Sequence, residues 1–358
     1  ASGQSNSNNT AVGKDALLSI TDAEGTVAVG YQAGKAITTA ERNTLVGRIA
    51  GTGIIGGNYN VAVGGNALAT VSTALSNVAI GYNAMADTKV GVAIDGCVAI
   101  GRDALKGSSS NTAGIDGTVA IGKDALKVLT SGVKNLAIGY QSLTAGVTAA
   151  TNTCVGYQTG LLLTTASDNT FVGSEVGLAT HVDAFANTCM GSGAFNGSHT
   201  GSVSQYNTAI GYLSMQGAMN GSLNNTAVGA SSLNAITTGG DNVAIGSGAL
   251  DAENTGSRNV VIGKGAMTAA ANGENDNTVI GNLAGSAINN ASADFNVLVG
   301  SSAGTGGTGA MIGCVAIGLD AMNSTAGNAQ TGTIAIGQSA LDALTTGAGN
   351  VAVGYQSL

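Results

Sequence analysis

Reaction chemistry needs several polar side chains gathered in one place, and this chain offers few candidates. Its two histidines, His181 and His199, fall in polar stretches with no recurring partner, so surface positions suit them better than metal or catalytic roles. A Ser-His-Asp arrangement requires one buried constellation, which nothing in the spacing supplies. Lys14-Asp15, Arg102-Asp103 and Lys123-Asp124 each follow a glycine of a recurring motif, as does Asp320 two residues after another. Stacked carboxylates could bind calcium, but the Gly-Gly-x-Gly-x-Asp nonapeptide of such sites is missing, and solvated ion pairs along one edge are the favoured reading. A glycan-cleaving enzyme would need a carboxylate cluster in one groove, and the acids here are dispersed. The expectation is therefore a chain without enzymatic activity, cofactor or metal.

The totals point the same way. Of 358 residues 58 are glycine, proline and tryptophan are absent, and only 9% are charged while 44% are hydrophobic. Low charge with that much apolar content is the opposite of a disordered composition. Apolar runs are too short to span a membrane, so no membrane insertion is expected. A net charge of −8 with only 12 Lys and Arg disfavours nucleic acid. The sequence begins at Ala1, without an initiator methionine or an apolar leader, and reads as processed or as a fragment.

What organises the chain is repetition. The motif Asn-(Thr/Val)-Ala-(Val/Ile)-Gly-x-x-Ala-Leu recurs twenty times from Asn9 to Leu358, at ten intervals of 17 residues and others of 18 to 21. Its fifth position is always glycine: Gly13, Gly30, Gly47, Gly64, Gly81, Gly101, Gly122, Gly139, Gly156, Gly173, Gly191, Gly211, Gly229, Gly246, Gly263, Gly281, Gly300, Gly318, Gly337 and Gly354. Short β-branched runs such as Val78-Ala79-Ile80, bounded by Asn and Gly, read as strands. The glycine then marks a corner that needs positive φ or close backbone approach. One coil cannot bury its own apolar face, whereas stacked coils about 4.8 Å apart can. The expected fold is all-β, a parallel β-solenoid (β-roll) of about 20 coils with 17–21 residues per coil. Residues 1–8 form a lead-in and residues 9–358 a single repeat domain, a rod on the order of 95 Å long.

Alternation puts the second and fourth motif residues on one strand face and the third on the other. The second is Val or Thr in eighteen copies, the fourth Val or Ile in all but Met190, and the third is Ala in thirteen. Both faces are apolar, so both are expected to be covered, one by the coil's own core and the other by a partner chain, most simply in a homotrimer. Sizes are correlated as well. Six copies end in Gly34, Gly51, Gly160, Gly177, Gly285 or Gly304 instead of Leu or Met, and five of those carry an enlarged third residue, Leu45, Cys154, Phe171, Val279 or Leu298. Third and ninth positions are therefore expected to share one compartment of constant volume. Ala28 with Gly34, Val261 with Met267 and Cys189 with Phe195 break the pattern.

The Asn that opens fifteen copies is expected to form a stacked side-chain ladder, the alternative being simple tolerance of a turn conformation. Cys97 and Cys314 stand at first positions and Cys154 and Cys189 at third positions, too many coils apart for intrachain disulfides, so they read as small buried residues. Tyr31, Tyr82, Tyr140, Tyr157, Tyr212 and Tyr355 all follow the motif glycine. They could grip a cell-surface glycan or cover the corner of the coil, and packing is the favoured reading.

The Asn-Val-Ala-Ile-Gly core resembles the head repeat of trimeric autotransporter (YadA-like) adhesins. The longer form, as in Asn207–Tyr212 and Asn225–Gly229, is still more similar to repeats in phage tail-fibre shafts. That resemblance covers residues 9–358 and implies a trimeric, left-handed parallel β-roll on an extracellular, cell or virion surface. The unit here is longer than the adhesin head repeat, and a stalk, an anchor and a receptor-binding tip are not recognisable. Two functions follow: a non-enzymatic structural fibre or adhesin shaft, or a self-assembling subunit of an extracellular filament. The second draws on a coincidence, since the eight residues before Asn9 and the nine from Asn350 to Leu358 together make one ordinary 17-residue coil.

Overall fold

A computed structural model describes residues 6–87, 94–107, 114–178, 184–197, 203–270, 273–306, 309–324, 328–345 and 347–358. Among them there is no helix, and the fold is a parallel β-solenoid with one coil per motif copy. Two compact units are distinguished. The first (Ala1–Glu175 with Val182–Ala184) holds ten strands, from β1 (Thr10–Val12) to β10 (Thr170–Val172). The second (Val176–His181 with Phe185–Leu358) holds twelve, from β11 (Thr188–Met190) to β22 (Val351–Val353).

Within each unit, motif strands of three residues stack in parallel and in strict register. Val61, Ala62 and Val63 lie opposite Val78, Ala79 and Ile80, for example, and Val243, Ala244 and Ile245 opposite Val260, Val261 and Ile262. A second, weaker ladder runs just ahead of the motif. It appears as single bridges such as Leu75 to Asp95 and Gln205 to Leu223, and as paired strands where β18 (Met311–Ile312) meets β20 (Gln330–Thr331). Loop-length variation falls between these ladders, where it does not disturb the register.

The core lies behind the third strand residue. Ala62, Ala79, Cys154, Phe171 and Leu298 are fully buried there, with the eighth and ninth motif residues (Ala67 and Leu68 in one coil) and an aliphatic twelfth such as Ile37, Ile54 or Val71. The opposite face is not equally dry. Second and fourth residues are half-buried to exposed, with Ile80 at 37% and Met190 at 47%. Alternation separates two faces without saying which is covered, and the chain covers only one.

Third and ninth positions do share a compartment, and the sharing extends across coils. A Cβ added at Gly51 would lie 2.7 Å from the Leu45 side chain of the same coil, and one at Gly34 would lie 2.8 Å from that same Leu45, in the next coil. One large side chain thus fills the space left by two glycines, which accounts for Ala28 beside Gly34. Gly285 is likewise approached by Met267 of the coil before it and Leu298 of the coil after it, both at 3.2 Å, which accounts for Met267 beside Val261. Constant volume is kept between neighbouring layers as well as within one.

Backbone conformation is as repetitive as the packing. All twenty motif glycines have φ between +122° and +147°. A Cβ at Gly64 would stand 2.6 Å from the carbonyl oxygen of Gly81, so this corner admits no side chain. In every copy the residue before the motif and the seventh and ninth residues are also left-handed, as at Tyr59 (+60°), Asn66 (+59°) and Leu68 (+51°). These turns aim N–H groups along the stack: Asn66 N–H reaches the carbonyl of Arg48 in the preceding coil, and Leu68 N–H that of Ala84 in the following one, both at 2.9 Å. Left-handed backbone costs an ordinary residue about 1–2 kcal/mol, offset here by inter-coil hydrogen bonds.

The first-position Asn side chains form the ladder. Asn43, Asn60 and Asn77 are all fully buried; Asn43 Oδ1 accepts from the backbone N–H (2.9 Å) and Nδ2 (3.0 Å) of Asn60, whose Nδ2 also donates to the Ala74 carbonyl. The same pattern links Asn187 through Asn296 in the second unit. Where Cys97 replaces Asn, its Sγ reaches the Ile115 carbonyl at 3.1 Å. Where Thr118 and Thr333 do, the buried Oγ1 has no partner.

Two substitutions test this account. Asn242→Ala removes the partners of the Asn259 N–H and the Gly256 carbonyl; it should cost about 2–4 kcal/mol in denaturant unfolding. An unchanged midpoint would mean that water replaces the rung. Ile49→Asn puts at a left-handed site (+63°) the residue that the next coil uses, Asn66. It should raise stability by about 1 kcal/mol, and a lower melting temperature would show that contacts of Ile49 outweigh its strain.

Candidate functional site

Because every coil repeats, a site on this molecule takes the form of a row: one motif position read along successive coils. The corner glycines fix such a row at the sixth position, since each sits on the next with no side chain between them. In the first unit this position carries the cations Lys14, Arg48, Arg102 and Lys123 and the tyrosines Tyr31, Tyr82, Tyr140 and Tyr157. The tyrosines are exposed, from 39% at Tyr140 to 56% at Tyr82. They contact their row neighbours: Tyr140 and Tyr157 stack with centroids 5.6 Å apart, the Lys123 ammonium lies 5.3 Å from the Tyr140 centroid, and the Arg48 guanidinium 6.0 Å from that of Tyr31. In the second unit, Tyr212 and Tyr355 occupy the row among mostly small or uncharged residues such as Ser192, Ser247 and Ser301.

Two acids of this edge, Asp103 and Asp124, are not solvated, contrary to expectation, whereas Asp15 and Asp320 are half-buried. Asp103 and Asp124 are buried beneath the cations, bonded to Arg102 at 3.0 Å and to Lys127 at 3.0 Å. Burial alone would push the Asp103 carboxyl up. Hydrogen bonds from Asn83 and Arg102 and the charge of Lys127 instead hold it below the usual range. The seventh position turns back beneath the row, so that the carboxylates anchor the cations and the cations face outward.

The four cysteines are buried. Burial pushes the Cys154 thiol up to about 12 and the Cys97 thiol to about 11, which removes the thiolate needed for nucleophilic or metal chemistry. His181 and His199 lie outside the described residues. Among the described residues no three His, Cys, Asp or Glu are grouped to hold a metal, and no helix is long and apolar enough to cross a membrane.

One buried pair went unnoticed in the sequence. Glu253 stands at the twelfth motif position, where other coils place Ile54, Val71 or Ile236, and Glu274 stands three residues before a motif Asn, where others place Ala74 or Ala293. Both are fully buried, in successive coils of the second unit. Glu253 Oε1 accepts from the N–H groups of Thr255 (2.8 Å) and Gly256 (2.6 Å), and Glu274 Oε1 from that of Asn290 (2.7 Å). Burial, reinforced by the hydrogen bond to Glu274, pushes the Glu253 carboxyl up to about 7. Aligning the copies by motif position would have exposed both residues, because a carboxylate at an aliphatic site breaks the pattern. The arrangement favours a neutral, protonated Glu253 inside the coil.

No family model matches the chain, and neither does any curated protein.

The carboxyl pair gives stability a definite pH dependence. The folded chain keeps a proton on Glu253 up to about pH 7, whereas its ordinary value is 4.5, so the native state binds more protons in between. Stability should therefore fall as pH rises from about 4.5 to about 7, by roughly 1.4 kcal/mol per unit, and level off above. Glu253→Ile should flatten that profile and raise the melting temperature at pH 8. A parent and variant with parallel profiles would show that Glu253 does not hold its proton above the usual range.

Proposed function

We propose that the chain is a non-enzymatic structural shaft of a fibre or adhesin on a virion or bacterial surface, outside the cell, assembled with copies of itself. The observation that carries this reading is the sameness of the coils. Strand residue stacks on strand residue, Asn on Asn and glycine on glycine, so the conserved chemistry within the repeat is spent on stacking one coil upon the next. A solenoid of this kind separates distant points and presents the same surface at each level. The half-exposed Val, Thr and Ile of the outer strand face favour a homotrimer, in which three such faces would meet and be covered. The resemblance to tail-fibre shafts and autotransporter heads supports the same arrangement.

A second reading is a subunit that stacks end to end into a filament, through the same backbone and Asn hydrogen bonds that join neighbouring coils.

Negative-stain microscopy and a solution mass decide between them. The shaft reading expects discrete rods with about three times the 34.4 kDa chain mass. It also expects Ile80→Asp to release single chains, because a charge would be buried unpaired in the trimer. Unbounded filaments would favour the second reading, and a single-chain mass unaffected by Ile80→Asp would overturn the trimer.

A further inference from the structure

The sixth-position row differs between the units in a way the fold does not require. Corner geometry is the same in both, yet the second unit builds five of its ten coils with serine, alanine or asparagine at this position and only three with tyrosine or a cation. Packing around the corner therefore does not call for tyrosine or arginine. In the first unit eight of ten positions are tyrosine or a cation, and ten of the twelve Lys and Arg of the whole chain lie in residues 1–175. Exposed and concentrated in one unit, these side chains serve something outside the coil.

From this row we infer a binding edge for a linear acidic polysaccharide, a chain of uronate or sulfated sugars lying along the stack from Lys14 to Tyr157. The inference rests on the surface-fibre reading and names its partner. Eight coil steps separate the two ends, on the order of 38 Å, enough for several consecutive sugars. Each coil step of about 4.8 Å is comparable to the advance of an extended sugar chain, so a repeating polymer can meet a repeating row in register. The chemistry is mixed to match. Arg48, Arg102 and Lys123 supply charge for carboxylate or sulfate groups, and the ring edges and open faces of Tyr31 and Tyr82 offer apolar surface and a hydroxyl to the sugar rings. Lys35, Lys106 and Lys127 stand at the tenth position of the same coils, Lys106 paired with Asp87 at 3.2 Å and Lys127 with Asp124 at 3.0 Å. The buried carboxylates Asp103 and Asp124 sit behind Arg102 and Lys123 and offset part of their charge, but the cations are the exposed partners of these pairs and so the groups a ligand would meet.

The test is a titration of the full chain with polyuronate oligosaccharides, followed by tyrosine fluorescence, since the chain has no tryptophan. Neutral dextran oligosaccharides serve as one comparison and oligothymidylate of equal charge as the other. Binding should appear with the polyuronate, weaken steeply with added salt, and be absent with dextran. Arg48→Ser with Lys123→Ser, and separately Tyr31→Ser with Tyr82→Ser, should each weaken it tenfold or more. Serine occupies this position in the second unit, so these variants should fold, which a melting curve checks. Tyr212→Ser with Lys264→Ser should leave binding unchanged. Polyuronate binding that survives both first-unit variants, or no binding at low salt, overturns the inference. So does oligothymidylate binding as tight and as tyrosine-dependent. Rods in the microscope with a blank titration would remove this inference alone, whereas polyuronate binding by a single-chain species would remove the shaft reading and keep the edge.

Discussion

Everything in this molecule depends on two backbones coming within hydrogen-bonding distance at a corner where no side chain can stand between them. The fifth motif residue meets the carbonyl of its counterpart in the next coil so closely that a methyl group would overlap it; at Gly246 the overlap would be with Gly263. Glycine is required there twice over, for its φ near +134° and for its missing Cβ. Once that corner is set, strand register follows, and register brings Asn onto Asn and the third residue onto the third. The buried amide ladder is a consequence of the corner, and it converts a row of polar side chains that would be costly in a core into a satisfied network.

Much of this was legible in the sequence, because repetition multiplies weak signals. A single Val-Ala-Ile followed by Gly says little, but twenty copies in one register specify a stack of coils. The compartment shared by third and ninth residues was readable from sizes alone. Its exceptions were not, since Leu45 answers to Gly34 in a different coil and sequence pairing looks only within a copy. Left-handed backbone at Leu68, Ile49 or Tyr59 was hidden for another reason: residue type argues against it, and inter-coil hydrogen bonds override the preference. The dry side of the strand was hidden because a period of two is symmetric, and Val, Ala and Ile suit either face.

Among candidate sites, the tyrosines were visible as a column in the alignment of copies. Their setting was not. The carboxylates sunk beneath Arg102 and Lys123, and the contrast between the two units, emerge only when each position is followed along the stack. The paired carboxyls Glu253 and Glu274 show the opposite bias. They break an aliphatic pattern, and a search for shared features passes over the one coil that departs from it.

The direction of the hydrogen bonds has a mechanical meaning. Within a unit, strand bonds, corner bonds and Asn rungs run between coils, so a pull along the stack loads every bond of a junction together instead of peeling them one at a time. Such a junction yields at its least supported level. Thr118 and Thr333, whose hydroxyls bridge nothing, mark levels where one strut is missing. Under tension each unit would part first at such a level while its Asn-rich stretches hold.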